Sequence, residues 1–176
     1  MALWVFGYGS LLWNPGFDPE ESVVATLEGY ARSFCMSSIH HRGSEAEPGL
    51  VLALDEQPGS RCTGLAMKVR TDEEAPVLAM LRERELVSSA YLERMVDLTL
   101  SDGRMQSALA YVIDPQHVQY CGGLPVADQA RIIARAHGGM GPNTEYLWNT
   151  ARHLEDLGLG DAYLTDLSAK VRAIRG

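Results

Sequence analysis

The chain opens on a short apolar run. Leu3 to Tyr8 is rich in aromatic and β-branched residues and is then punctuated by Gly7 and Gly9, which predicts a buried strand ending in a tight turn. Val23 to Ile39 predicts one or two further strands. His40 to Gly49 predicts a loop carrying His41-Arg42-Gly43 and Pro48-Gly49, and Leu50 to Leu54 a resumed strand. Gln57-Pro58-Gly59-Ser60 has the residues of a hairpin turn, with another strand from Thr63 to Val69. The period then lengthens. Thr71 and Glu74 have capping-box spacing, and the Ala/Leu/Met/Arg/Glu run to about Leu86 predicts a helix.

Tyr91 to Leu100 and Met105 to Ile113, joined by Ser101-Asp102-Gly103, predict a β-hairpin. The rest is helical. Val126 to His137 is predicted to end at Gly138 as C-cap, Asn143 to cap a helix running to Leu157, and Asp161 to cap another to about Arg175. Strands thus fill the first two-thirds and helices the last third. That segregation predicts an α+β fold, a mixed and mostly antiparallel curled sheet or small β-barrel with packed helices, instead of a doubly wound parallel sheet. With no internal repeat or composition break, residues 1–176 are expected to form a single domain.

Composition narrows the function classes. Apolar residues make up 46% and charged residues 22%, ordinary values for a globular chain. A net charge of −8 without a Lys/Arg cluster argues against a nucleic-acid or anionic-membrane partner, both of which need a basic footprint. Cys35, Cys62 and Cys121 are far apart, without a CxxC pair or framework spacing, and read as buried thiols. The N-terminus lacks a basic n-region, and no stretch approaches the roughly 18 apolar residues of a membrane span. The cytoplasm is the expected location.

The glycine turn is the first candidate for chemistry. Gly7-x-Gly9 begins like a dinucleotide fingerprint, but the third glycine and the acidic residue ending a second strand are missing. Glycines at these positions still allow successive backbone N–H groups to converge on an anion or a developing oxyanion, and they equally suit a purely structural turn before Asn14-Pro15-Gly16. The longer stretch Val5-Phe6-Gly7-Tyr8-Gly9-Ser10-Leu11-Leu12-Trp13 closely resembles the opening of the ChaC-type γ-glutamylcyclotransferases, a branch of the wider γ-glutamylcyclotransferase superfamily. The resemblance continues in order through His41-Arg42-Gly43, Pro48-Gly49, Arg84-Glu85-Leu86, Asp114-Pro115 and Asn143-Thr144-Glu145-Tyr146-Leu147. It implies a glutathione-directed enzyme that forms 5-oxoproline and cysteinylglycine on a compact mixed fold with a small β-barrel. Val5, Phe6, Gly7, Tyr8, Gly9, Ser10 and Leu11 become the expected substrate-binding segment.

Such a cyclisation needs the substrate's α-amine to lose a proton and attack its own γ-carbonyl, while the departing amide nitrogen gains one. A single carboxyl group can carry the proton, and no metal or cofactor is demanded. At about 100° per residue, Leu78, Leu81 and Glu85 share one helical face, whereas Glu83 points roughly 160° away into solvent. A carboxylate on the core-facing stripe loses hydration, which raises its pKa toward the working pH. Glu85 is therefore the expected proton carrier. The resemblance agrees, because the matching glutamate follows an arginine and precedes a tyrosine by six residues, as Glu85 does with Arg84 and Tyr91. Ser88-Ser89 and Glu93-Arg94 depart from the pattern of the family and bear on leaving-group preference.

Other polar residues are open to two readings. His40 and His41 point to opposite sides of an extended segment and have no ligand partner at metal spacing. Arg42 suits either a substrate carboxylate or an ion pair. Tyr146 suits either a core position with its tip on backbone or a hydroxyl reaching the glutamyl group, and the resemblance favours the second. Two other functions fit the same residues: a cyclotransferase for other γ-glutamyl amino acids or amines, and a noncatalytic module that captures a small carboxylate.

Overall fold

The computed structural model describes residues 2–86 and 90–175, so the Ser88-Ser89 departure lies outside the described residues. The chain falls into two units, Met1–Arg32 with Leu54–Val118 and Ser33–Ala53 with Gln119–Gly176. Strands β1 (Trp4–Gly7), β2 (Glu21–Ser38), β3 (Gly49–Lys68), β4 (Tyr91–Leu100) and β5 (Met105–Ile113) form a closed barrel in the order β1-β3-β2-β4-β5. Pairing of β1 with β3, β2 with β4 and β4 with β5 is antiparallel; the parallel contact of β1 with β5 at Val5 and Leu109 closes the ring. The α+β expectation of a mostly antiparallel sheet curled into a small barrel describes this architecture.

In the first unit, strand alternation explains why β1 is apolar throughout. Trp4 and Phe6, with Tyr8 beyond the strand, enter one cluster with Ala25, Leu54, Leu98, Ala110 and Val112. Val5, pointing the other way, packs with Met67, Leu109 and Tyr111 against Val77 and Leu81 of helix α1 (Glu74–Glu85). A strand buried on both faces has no position left for a polar residue.

Several local expectations give way to tertiary contacts. The capping box at Thr71 does not form: Thr71–Glu73 is a 3-10 turn without a side-chain cap, and the Glu74 carboxylate accepts the Leu3 N–H at 3.0 Å instead. Gln57-Pro58-Gly59-Ser60 is not a hairpin turn. The strand β3 runs through it, with Gly59 at φ +90° and residues 57–59 exposed, where a missing proline N–H costs no buried hydrogen bond. The hairpin β4–β5 is as expected, its Asp102 carboxylate accepting the Arg104 N–H at 3.1 Å.

The second unit holds helices α2 (Val126–Arg135), α3 (Asn143–Asp156) and α4 (Ala162–Arg175), with α2 and α3 both packed on α4. Asp161 caps α4 as predicted, accepting the Leu164 N–H at 3.1 Å. Gly138 is not a C-cap. His137–Gly138 forms a two-residue strand (β6) with Gly141–Pro142 (β7), and a Cβ on Gly138 would lie 2.4 Å from the His41 carbonyl carbon. Asn143 does not cap α3 either. Wholly buried, it accepts the Leu50 N–H at 2.8 Å and donates to the Leu50 carbonyl at 2.8 Å. Cys35 and Cys62 are buried and Cys121 half-buried, none of them in a disulfide, and no helix among the described residues is long and apolar enough to cross a membrane.

Candidate active site

The turn after β1 is built from both of its ends. Gly7 pairs with Leu65, and a Cβ on the neighbouring Gly64 would fall 2.2 Å from the Gly7 carbonyl oxygen, so only glycine lets β3 approach so closely. Beyond it, Ser10–Leu12 forms one turn of 3-10 helix in which the Leu12 N–H donates to the Gly9 carbonyl at 2.9 Å. Leu11 and Leu12 are buried and anchor the turn, while Ser10 is exposed. The first N–H groups of such a turn have no intrahelical acceptor, which leaves donors available to an anionic or carbonyl oxygen.

The side chains around the turn are largely committed to the core. Val5 and Phe6 are completely buried. The Tyr8 ring lies against Phe6 with centroids 6.4 Å apart, and its hydroxyl donates to the Tyr111 carbonyl at 3.2 Å. Contacts from this segment to a ligand therefore fall to backbone groups and to Ser10.

Helix α1, which carries Glu85 as its last residue, packs on the cluster that holds Leu11 of the turn. Leu11 of the turn packs with Val77 and Leu81, and the Arg84 guanidinium donates to the Asn14 carbonyl at 3.0 Å, fastening the end of the helix to the loop that follows the turn. Glu83 is exposed and Glu85 half-buried, as the helical periodicity predicts. Burial pushes the Glu85 carboxyl above the usual carboxylate range, opposed by the charge of the adjacent Arg84. Its carboxyl makes no hydrogen bond among the described residues. A carboxyl raised in this way is a better proton acceptor when ionised than a solvated one.

A second carboxylate nearby behaves in the opposite way. Glu93 accepts two hydrogen bonds from the Arg82 guanidinium, at 3.0 Å each from Nε and Nη2, and a third from the Tyr111 hydroxyl at 2.9 Å. The Arg82 hydrogen bonds hold its carboxyl below the usual range. The buried Tyr111 hydroxyl is pushed well above its ordinary value by burial, by its bond to Glu93 and by the charges of Glu93 and Glu85. The two carboxyl groups thus have pKa values driven apart, Glu93 lowered by its hydrogen bonds and Glu85 raised by burial. Sequence reasoning missed this Arg82–Glu93–Tyr111 group. The signal was available, because the Asp-Gly hairpin sets the register that places Glu93 opposite Tyr111.

Tyr146 belongs to the second unit. Its hydroxyl accepts the Leu52 N–H at 3.2 Å, and its ring meets Phe34 edge-on at 5.8 Å and the Arg42 guanidinium at 5.6 Å. Arg42 donates to the Pro142 carbonyl at 3.1 Å and lies 3.9 Å from the Glu145 carboxylate, so the ion-pair reading describes its contacts. His40 and His41 are exposed, and the described residues hold no group of three or more His, Cys, Asp or Glu with metal-binding geometry.

Comparison with known proteins matches residues 3–174 to the ChaC-like protein family. The chain belongs to that family. The glutathione-specific γ-glutamylcyclotransferase of Escherichia coli is 37% identical over 172 residues, covering 98% of this chain and 74% of the relative. γ-Glutamylcyclotransferase 2-3 of Arabidopsis thaliana is 36% identical, covering 99% of this chain and 90% of its own. The human glutathione-specific γ-glutamylcyclotransferase 1 is 37% identical over 88% of this chain and 70% of the relative. Among solved structures, that of the yeast glutathione-specific γ-glutamyl cyclotransferase superposes with a TM-score of 0.85 at 24% identity over 100% of both chains, which shows the shared fold.

Proposed function

We propose that this ChaC-like chain is a γ-glutamylcyclotransferase that cleaves glutathione into 5-oxoproline and cysteinylglycine, with Glu85 as the proton carrier. The observation that carries the residue roles is the half-buried Glu85 carboxyl, raised by burial and free of hydrogen bonds among the described residues, on a helix that shares a hydrophobic cluster with the glycine turn.

In this reading Glu85, ionised, takes a proton from the substrate's α-ammonium group. The freed amine attacks the γ-carbonyl carbon, a new C–N bond closes the five-membered ring, and the carbonyl oxygen becomes an oxyanion. Backbone donors of the Gly7–Leu11 turn stabilise that charge. Glu85 returns its proton to the departing amide nitrogen and the original C–N bond breaks; the ring nitrogen then gives up its second proton through Glu85, leaving the neutral lactam of 5-oxoproline, and cysteinylglycine departs with that proton as its ammonium form. No water is consumed, and because the nucleophile is tethered to its target, most of the entropic cost of encounter is already met. Recognition of a small tripeptide by backbone donors also suits a chain with no basic surface cluster.

Incubation of the purified protein with glutathione, γ-glutamylalanine and γ-glutamyl-lysine, with mass-spectrometric detection of 5-oxoproline, tests the proposal. Release from glutathione in preference to the other two is the expected result. Release mainly from another substrate would redirect the specificity, and no release from any would leave only a small-carboxylate binding module.

A further inference from the structure

Arg32 is only 8% exposed although it carries a permanent positive charge, and neither the motif nor the proton route uses it. Its Nε donates to the Tyr8 carbonyl at 2.7 Å, and its Nη2 donates to the Thr63 carbonyl at 2.6 Å. One guanidinium thus ties the substrate turn to β3, next to the point where Gly64 meets Gly7.

The consequence follows from the planar trans peptide. The Tyr8 carbonyl and the Gly9 N–H belong to one peptide unit and point to opposite sides of it. Holding the carbonyl against the buried guanidinium turns the Gly9 N–H away from Arg32. Glycine at position 9 places little restriction on rotation of this peptide, so without a partner for the carbonyl the unit is free to turn over. A charge-assisted bond also polarises the peptide and strengthens its N–H as a donor.

We infer that Arg32 is the positioning residue of the substrate turn: by gripping the Tyr8 carbonyl it fixes the Gly9 N–H as a donor to the γ-glutamyl group. This rests on the cyclotransferase reading and extends it to a residue that does not touch substrate. Lysine is a poor substitute, because a single ammonium nitrogen lacks the rigid fork whose Nε and Nη2 reach two carbonyls.

The test compares wild-type protein with Arg32→Lys and Arg32→Ala on glutathione, measuring 5-oxoproline release well below each melting temperature, with the melting temperature recorded separately. The expected result is a kcat lowered about 100-fold in Arg32→Lys, the scale for losing one aligned oxyanion donor, with KM changed much less. In Arg32→Ala, millimolar guanidinium is expected to restore part of the kcat without raising the melting temperature. A normal kcat in folded Arg32→Lys would reduce Arg32 to a purely structural residue and overturn the inference. A wild-type protein that releases no 5-oxoproline overturns the cyclotransferase reading and this role with it. Should both variants fail to fold, isotope-labelled Glu85→Gln protein titrated with glutathione decides the matter: the Gly9 amide resonance must shift on binding, and an unmoved Gly9 amide overturns the inference.

Discussion

Leu81 and Glu85 stand one helical turn apart on the same face of α1, the first wholly buried and the second half-buried with its carboxyl raised by desolvation. The apolar anchor and the desolvated carboxyl are therefore coupled. What fixes the helix against Val5, Leu109 and Tyr111 also sets how much water Glu85 retains.

Glu85→Gln is expected to leave the fold intact and to lower kcat by about 10²- to 10⁴-fold, the range for losing a general acid–base. Glu83→Gln, on the exposed face, is expected to keep wild-type activity. Steady-state release of 5-oxoproline from glutathione by the two variants checks both, and an active Glu85→Gln enzyme would sink the assignment.

The same carboxyl makes a stability prediction whose sign is opposite to that of an ion-paired glutamate. Its folded pKa lies above the unfolded value, so the folded state favours the protonated form and loses stability as pH rises through the folded pKa. Glu85→Gln, which cannot ionise, should therefore be more stable than wild type at neutral pH, with the difference shrinking at acid pH. Urea titrations of both proteins across pH measure this directly, and a gap independent of pH contradicts it.

Leu81→Ala is expected to destabilise the protein by about 2–5 kcal/mol, the cost of removing a buried leucine and leaving a cavity. Because Leu81 packs in the cluster that seats α1, activity should fall further than the folded fraction alone explains. Chemical denaturation combined with an assay at low temperature separates the two effects.

Asn143→Ala removes both hydrogen bonds to the Leu50 backbone inside a fully buried site. Leaving a buried N–H and C=O without partners should cost about 2–6 kcal/mol, at about 1–3 kcal/mol per group. Asn143→Asp keeps the acceptor but replaces the donor by a buried charge or proton and should not rescue the protein. Melting temperatures of the two variants provide the check.

Much of this architecture was legible because its signals are local and periodic. The β4–β5 hairpin follows from alternation around an Asp-Gly turn, and the difference in burial between Glu83 and Glu85 from the 100° helical step. The readings that failed concern polar residues whose local and distant partners compete. Thr71 with Glu74 has capping-box spacing, yet the Glu74 carboxylate goes to the Leu3 N–H, seventy-one positions away. Asn143 looks like an N-cap but spends its amide on Leu50, and Gln57–Ser60 has turn residues but lies inside β3.

The sequence by itself determined the alternation that buries β1 on both faces, the glycines that permit a tight turn after it, and the helical face that desolvates Glu85. Tertiary structure alone decided which buried carbonyls and amides need a side-chain partner, and so gave Leu50 to Asn143, the Tyr8 carbonyl to Arg32, and Glu93 to Arg82 and Tyr111. The physical reason is that hydrophobic periodicity is set by neighbours along the chain, whereas an unmet hydrogen-bonding group inside the protein costs free energy wherever its partner lies in sequence.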